Sequence, residues 1–327
     1  MSNKIANIHS KIPLAQPSQL GIDALRHAVW WPDMARVAVI GASKNAGKTT
    51  TLNTLHAAGV QQGWRMGLVS VGVDGEAVDA WMDIAKPQVA VERGTLVVTA
   101  DAVVRAANGF LRPIAQNDFG SALGPTLIAE ARGPGGAQLC GVPHRGHLRS
   151  AIALLQQCGA QRVLIDGAYH RQAAAHPDIA DGLVLAVGAV LGDTPQQVVD
   201  RASLTLLALL TPQVTDPIAH PIQGALSDDL IDQLPKHTAF IVVKTQGHVL
   251  LTTLGRQVLQ RRNIAIVAQK ALPLLAITTN PYHPGGVDLD AVAMQHTLRD
   301  FVAAHCETAI PIIDVVTGAV LLSRQGD

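Results

Sequence analysis

Residues 42–49 carry the densest chemistry in the sequence: in ASKNAGKT, Ala42, Gly47, Lys48 and Thr49 satisfy the pattern Ala/Gly-x-x-x-x-Gly-Lys-Ser/Thr, with Gly41 immediately before it. A loop of this kind, followed at once by a helix, turns its backbone N–H groups toward one point where the helix dipole also favours negative charge. Gly47 lets the chain pass close to a ligand without a Cβ. Lys48 brings an ammonium for the β and γ phosphates, Thr49 a hydroxyl for Mg²⁺, and Thr50 a position beside the α phosphate. Ser43, Asn45 and Ala46 belong to the same loop and are assigned to the nucleotide with it. The chemistry these residues predict is the binding of ATP or GTP with Mg²⁺. Ala42 stands where a glycine is usual, so the loop start turns in its own way. Lys44 is a further phosphate contact or a solvated loop lysine.

A metal held on phosphates needs a carboxylate at the tip of a neighbouring strand, and RVLID followed by Gly-Ala supplies Asp166 there. An Asp-Gly turn closing a strand is the plainer account of the same residues. The run VSVGVDGE puts Asp74 and Glu76 in a loop after the next strand. Asp74 is the candidate for orienting an attacking water or a water on Mg²⁺, with a solvated turn as the competing reading. Tyr169, His170 and Arg171 follow Asp166 and either face the phosphates or form an exposed basic loop. Asn280 and Pro311 are placed to read a purine edge, or are an Asn-Pro turn and a strand-leading proline. The 13 histidines show neither a His-Glu-x-x-His motif nor a close-spaced pair on a predicted helix, so no metal site is expected from them.

These residues require strands and helices in a particular order. RVAVIG reads as a buried strand, KTTTLNTLHAAGVQQG as a helix with a glycine stop and RMGLVSV as a second strand, together a βαβ unit. Between Asp74 and Gly159 the short strands QVAVE, TLVVTA, PTLIAEA and AQLCGV, separated by turn clusters, suggest an inserted, mainly antiparallel section at about 85–145. Alternation resumes with a helix near 147–158, the strands RVLID and GLVLAV, and a helix from Pro195. After a proline-rich crossing come a short helix at 228–234, the strands AFIVV, IAIVA and LLAITTN, a helix near 288–304 and the strand PIIDVV. The expected fold is α/β, one doubly wound and mainly parallel sheet carrying the phosphate loop, plus the insertion. Residues 1–34 read as a leader docking on a domain that spans 35–327.

Composition agrees with parallel strands under helices: 48% of residues are apolar but only 3% aromatic. Lys plus Arg and Asp plus Glu are 25 each, so no overall field draws nucleic acid or anionic membrane to the surface. The 3 cysteines, Cys140, Cys158 and Cys306, are far apart and fit a reducing compartment. No stretch has signal-peptide or membrane-spanning character, and the chain reads as cytoplasmic.

The loop GASKNAGKTT resembles that of the SIMIBI branch of P-loop NTPases, and KNAGKTT is close to the loop of the molybdopterin guanine dinucleotide biosynthesis P-loop protein. A longer resemblance, over about 36–316, runs through VAVIGASKNAGKTTTLN, SVGVDGE, VLIDGAYHR, DGLVLAVGAVLG, ITTNPYHPGG and IPIIDV. It is similar to the P-loop reactivase subunit of lysine 5,6-aminomutase and ornithine aminomutase. The resemblance implies an ATP-driven accessory protein for a cobalamin-dependent aminomutase, acting with a second ATPase subunit. Gly47, Lys48 and Thr49 would then hold the nucleotide and Asp166 its magnesium, with Asp74 and Glu76 in an adjoining switch-like loop. TTNPYHPGG and the Tyr-His-Arg after Ala168 depart from the family's pattern, which bears on partner identity. By analogy with SIMIBI relatives, a homodimer or a heteromer is expected.

Three activities are compatible with these residues. A regulatory NTPase would hydrolyse slowly and grip a partner through the insertion. A small-molecule kinase or ATP-dependent ligase of dethiobiotin-synthetase type would need a polar acceptor pocket, for which Arg93, Arg105 and Arg112 are candidates. A binding module would hold nucleotide with little turnover.

Overall fold

The computed structural model describes residues 17–72, 89–121, 123–168, 176–214, 221–283 and 286–324. The RVAVIG run forms β1 (Arg36–Gly41), and the alternation of its side chains divides the core. Ala38 and Ile40 enter one apolar cluster, while Val37 and Val39 enter another on the opposite face of the sheet. Parallel partners flank it: β9 (Arg162–Ala168) on one side and β10 (Gly182–Gly188) on the other. Every residue of β10 is buried, as a strand covered on both faces must be.

Outward from β10 lie β15 (Leu274–Asn280) and β16 (Pro311–Asp314), both parallel, and then antiparallel β17 (Val320–Leu322). Outward from β9 come β2 (Met66–Val71) and β4 (Leu96–Ala100), still parallel. Next to β4 stand antiparallel β6 (Thr126–Ala131) and β5 (Leu111–Gln116), and the short β8 (Gly141–Val142) pairs with β2. The antiparallel insertion is therefore an extension of the main sheet. It also carries α3 (Asp101–Ala106) and a small pair of strands, β3 (Val89–Val91) with β7 (Gly135–Ala137).

Helices α4 (Arg145–Gln157), α5 (Pro195–Leu209) and α8 (Ala291–His305) cover one face. The other face is covered by α2 (Lys48–Gln61), which is itself overlaid by α1 (Gln19–Val29). Because α2 lies between sheet and helix, even polar residues on it are buried: Thr51, Asn53, Thr54 and His56. Each of these four side chains has a partner, as burial demands. Asn53 Oδ1 accepts from the Ala90 amide (3.0 Å), and His56 Nε2 lies 2.9 Å from the Thr95 hydroxyl. Helix α1, which falls within the leader segment of residues 1–34, begins at Ser18, whose Oγ accepts from the Gly21 amide. Just past its end, the Trp30 indole donates to the Leu55 carbonyl of α2 (3.1 Å).

One expectation about the sheet is corrected. AFIVV and IAIVA do not join it; as β12 (Phe240–Thr245) and β14 (Ala265–Lys270) they pair with each other in a separate two-stranded parallel sheet. They share a third apolar cluster with β11 (Leu226–Ser227), α6 (Asp228–Ile231), β13 (Val249–Leu250) and α7 (Thr253–Arg261). The reason is visible in their own residues. Phe240, Lys244, Gln269 and Lys270 face solvent, whereas a central parallel strand must be apolar on both sides. Among the described residues, no helix is long and apolar enough to cross a membrane.

Candidate functional site

The chain leaves the buried Gly41 of β1 at the carboxyl end of the sheet, and the Ala42 amide extends the pairing by donating to the Ala186 carbonyl of β10 (2.9 Å). A tight bend follows. Asn45 has φ 62° and Gly47 φ 94°, two left-handed residues that reverse the chain before α2 starts at Lys48. No side chain caps that helix. The Thr51 amide returns to the Gly47 carbonyl (3.0 Å), so the amides of Lys48, Thr49 and Thr50 have no partner within the helix. The bend and the helix start thus present the amide cluster that an anion requires.

Close packing fixes this bend. A Cβ on Gly47 would lie 2.8 Å from Asn280 Cβ, and one on Gly188, the last residue of β10, would lie 2.8 Å from Ala46 Cα. The loop therefore rests on the ends of β10 and β15, and neither position has room for a side chain. The Thr51 hydroxyl donates to the Gly47 carbonyl (3.2 Å) and meets the Thr278 hydroxyl of β15 (2.7 Å), which pins the first turn of α2 to the sheet. Thr54 bonds back to the Thr50 carbonyl (2.8 Å). Thr49 and Thr50 differ: among the described residues no group takes either hydroxyl, and both side chains are half-buried at the loop.

Lys48 and Asp166 meet across this mouth, Nζ to Oδ1 at 2.6 Å. Register explains the meeting, because Asp166 on β9 lies level with Val39 of β1 on one side and Ser70 of β2 on the other. Ser70 Oγ donates to the second carboxylate oxygen (3.3 Å). The Lys48 and Asp166 side chains are 28% and 21% exposed, so the pair is partly desolvated yet open to a ligand. Asp166 is thus beside the loop and not merely part of a turn closing a strand.

The other sequence candidates divide. Asn280 ends β15 directly over Gly47; its Oδ1 accepts from the Tyr282 amide (3.2 Å), as an Asn-Pro turn requires, while its amide nitrogen faces the loop. Pro311 begins β16, one residue before Ile312, which pairs with Ile277, so it lies well down the sheet from Asn280. The two do not form one base-reading edge. Arg105 is bound to Asp101 on α3, and Arg112 to Glu130. Asp74, Glu76, Tyr169, His170 and Arg171 lie outside the described residues. Among the described residues, no group of three His, Cys, Asp or Glu side chains is placed to hold a metal ion.

Reasoning from sequence missed Ser70, Thr278 and Gly188. Only Gly188 left a local trace, since a glycine closing an otherwise apolar strand marks a close backbone approach. Chemically, the assembly offers convergent amides, one ammonium, two free hydroxyls and a carboxylate.

No protein-family model matches this chain, and no curated protein matches it. Among solved structures the chain is similar to the signal recognition particle receptor FtsY from Elizabethkingia anophelis, with 13% identity and a TM-score of 0.28. That match covers 79% of this chain and 63% of the other. The reading of the site therefore stands on its own geometry.

Proposed function

We propose that this chain binds a purine nucleoside triphosphate, ATP ahead of GTP, together with Mg²⁺, and hydrolyses it slowly to act on a protein partner. One observation carries the proposal: the Lys48 ammonium and the Asp166 carboxylate face each other at the mouth of a bend lined by unpaired helix amides. A triphosphate entering the bend gives the ammonium a more highly charged partner than one carboxylate. Lys48 would then turn to the phosphates, leaving the Asp166 carboxylate free to help hold a magnesium ion. The Thr49 hydroxyl and the Asp166 carboxylate are the hard oxygen donors that suit Mg²⁺, whose bound charge would neutralise that building on the phosphates. The loop amides hold the phosphate oxygens in line, and Asn280, packed on Gly47, keeps the bend from opening. Asp74 is the proposed residue for orienting the attacking water.

The finer reading of the partner, a cobalamin-dependent aminomutase working with a second ATPase subunit, rests on the motif resemblance. Two of the three arginines that the kinase or ligase alternative would use for an acceptor lie far from the bend. Arg93 lies before the start of β4, and Arg112 pairs with Glu130 at the same end of the sheet, opposite the phosphate loop. Calorimetric titration with Mg·ATP and Mg·GTP, followed by phosphate-release assays with and without an aminomutase, tests each level. Lys48→Ala is expected to cut affinity or turnover at least tenfold, about 1.4 kcal/mol. Unchanged binding and turnover would reject the assignment. Turnover that appears only with a small metabolite would favour the kinase or ligase.

A further inference from the structure

At the amino-terminal end of the sheet, opposite the phosphate loop, three segments from within residues 93–132 converge on a cavity of about 470 Å³. Arg93 and Gly94 come from the turn before β4, Arg112 from β5, and Glu130, Ala131 and Arg132 from the end of β6. The volume falls in the range of small-molecule sites, roughly 300–1,000 Å³.

Its charge is unbalanced. Glu130 is the lone carboxylate among the lining residues, and both its oxygens are taken: Oε2 by Arg112, and Oε1 by Arg65 at 2.5 Å. Arg112's hydrogen bond, with the charges of Arg112 and Arg65, holds the Glu130 carboxyl below the ordinary carboxylate range, so it stays ionised and already neutralised. Among the described residues no carboxylate pairs with Arg93 or Arg132. Their guanidinium groups border the cavity with charge to spare.

The walls are also held in place. The Gly94 amide donates to the Ala131 carbonyl (2.9 Å), and the Thr95 amide to the Glu92 carbonyl (3.0 Å). Arg65 Nε donates to the Gly94 carbonyl (3.2 Å), and Thr95 is tied to the buried His56 of α2. Ordering the turn in advance lowers what a ligand must spend on immobilising it.

We infer that this cavity is a second binding site, for a small anion carrying at least two phosphate or carboxylate groups, gripped by Arg93 and Arg132 beside the Arg112–Glu130 pair. Planar guanidinium groups bind such oxygens in pairs, and a monovalent acid would leave half of them idle. The inference does not depend on the nucleotide reading.

The test is calorimetric titration of the full chain with inorganic pyrophosphate, citrate and acetate, in the Lys48→Ala background so that the phosphate loop competes less. Pyrophosphate or citrate is expected to bind at least tenfold more tightly than acetate. Whichever binds identifies the phosphate or the carboxylate class. Arg93→Ala/Arg132→Ala should weaken that binding at least tenfold with the melting temperature retained, and Arg105→Ala, which alters an exposed arginine outside the cavity, should leave it alone. The inference is overturned if neither anion binds, if the double variant binds as well as its parent, or if Arg105→Ala weakens binding equally. A single-stranded oligonucleotide binding more tightly than both anions would also overturn it.

Discussion

The two proposed anion sites, one at each end of the sheet, are built by different means. At the carboxyl end, consecutive residues do the work through the main chain: a bend with two left-handed residues, free helix amides and one lysine. At the amino end, side chains from three separate strands and turns converge, and the backbone serves only to hold them. A site made of backbone tolerates almost no substitution at its glycines but accepts variation around them. A site made of side chains should respond to charge, with glycine mattering only where a turn needs it, as at Gly94 (φ 90°). The link between them is α2, which starts in the first site and steadies the wall turn of the second through His56 and Thr95.

The largest expected effect falls on that link. Burial pushes the His56 pKa down to about 4 from the ordinary 6.5, so the folded chain keeps this imidazole neutral. Between those values the unfolded chain takes up a proton that the folded chain refuses. The contribution is therefore fully present above pH 6.5 and is lost as pH falls toward 4. Integrated over the window this is about 3 kcal/mol. Urea unfolding at several pH values should show wild type losing about that much more stability than His56→Gln between pH 7 and 4. Parallel curves would remove His56 as a burial-strained element.

Next in size is the backbone end. Gly47→Ala forces a side chain onto a left-handed residue and against Asn280 Cβ at 2.8 Å. Nucleotide affinity is expected to fall about a hundredfold, ~2.7 kcal/mol, alongside a stability loss of roughly 1–3 kcal/mol from the strained residue. Undiminished binding in a calorimeter would mean that the bend is not the cradle, and the contrast between the two ends would fail. The smallest effect sharpens the contrast from the other side. Arg105 makes an exposed pair with Asp101 one helical turn away, so Arg105→Ala should shift stability by no more than about 0.5 kcal/mol in thermal melts. A larger loss would show that surface arginines in the insertion are structural.

Legibility in the sequence follows the same division. The glycine-rich bend, its strand and its helix could be read from residues 36–61 because every participant is a near neighbour in the chain. Asp166 was readable too, since a carboxylate at the tip of an apolar strand is a local pattern. Its partnership with Ser70 depends on β2 and β9 being neighbours, and nothing in either strand announces that. The mixed character of β12 and β14 was present in their residues, but a short apolar run reads alike in a central and a peripheral sheet. Arg93 and Arg112 are legible by residue type, Arg132 is not, and the third wall of the cavity is set by register alone: β5 and β6 run antiparallel with Arg112 opposite Glu130.

What the sequence determined by itself was a βαβ unit closed by a glycine-lysine-threonine bend, within a chain rich enough in Val, Leu, Ile and Ala to cover a parallel sheet twice. These are local quantities: periodicity, backbone freedom at glycine, and the free amides of a helix start. Which strands lie beside β1, where the insertion attaches, and which arginines share a cavity were decided only by tertiary structure. Strand order and register depend on side chains meeting across distances in the chain that no short window spans.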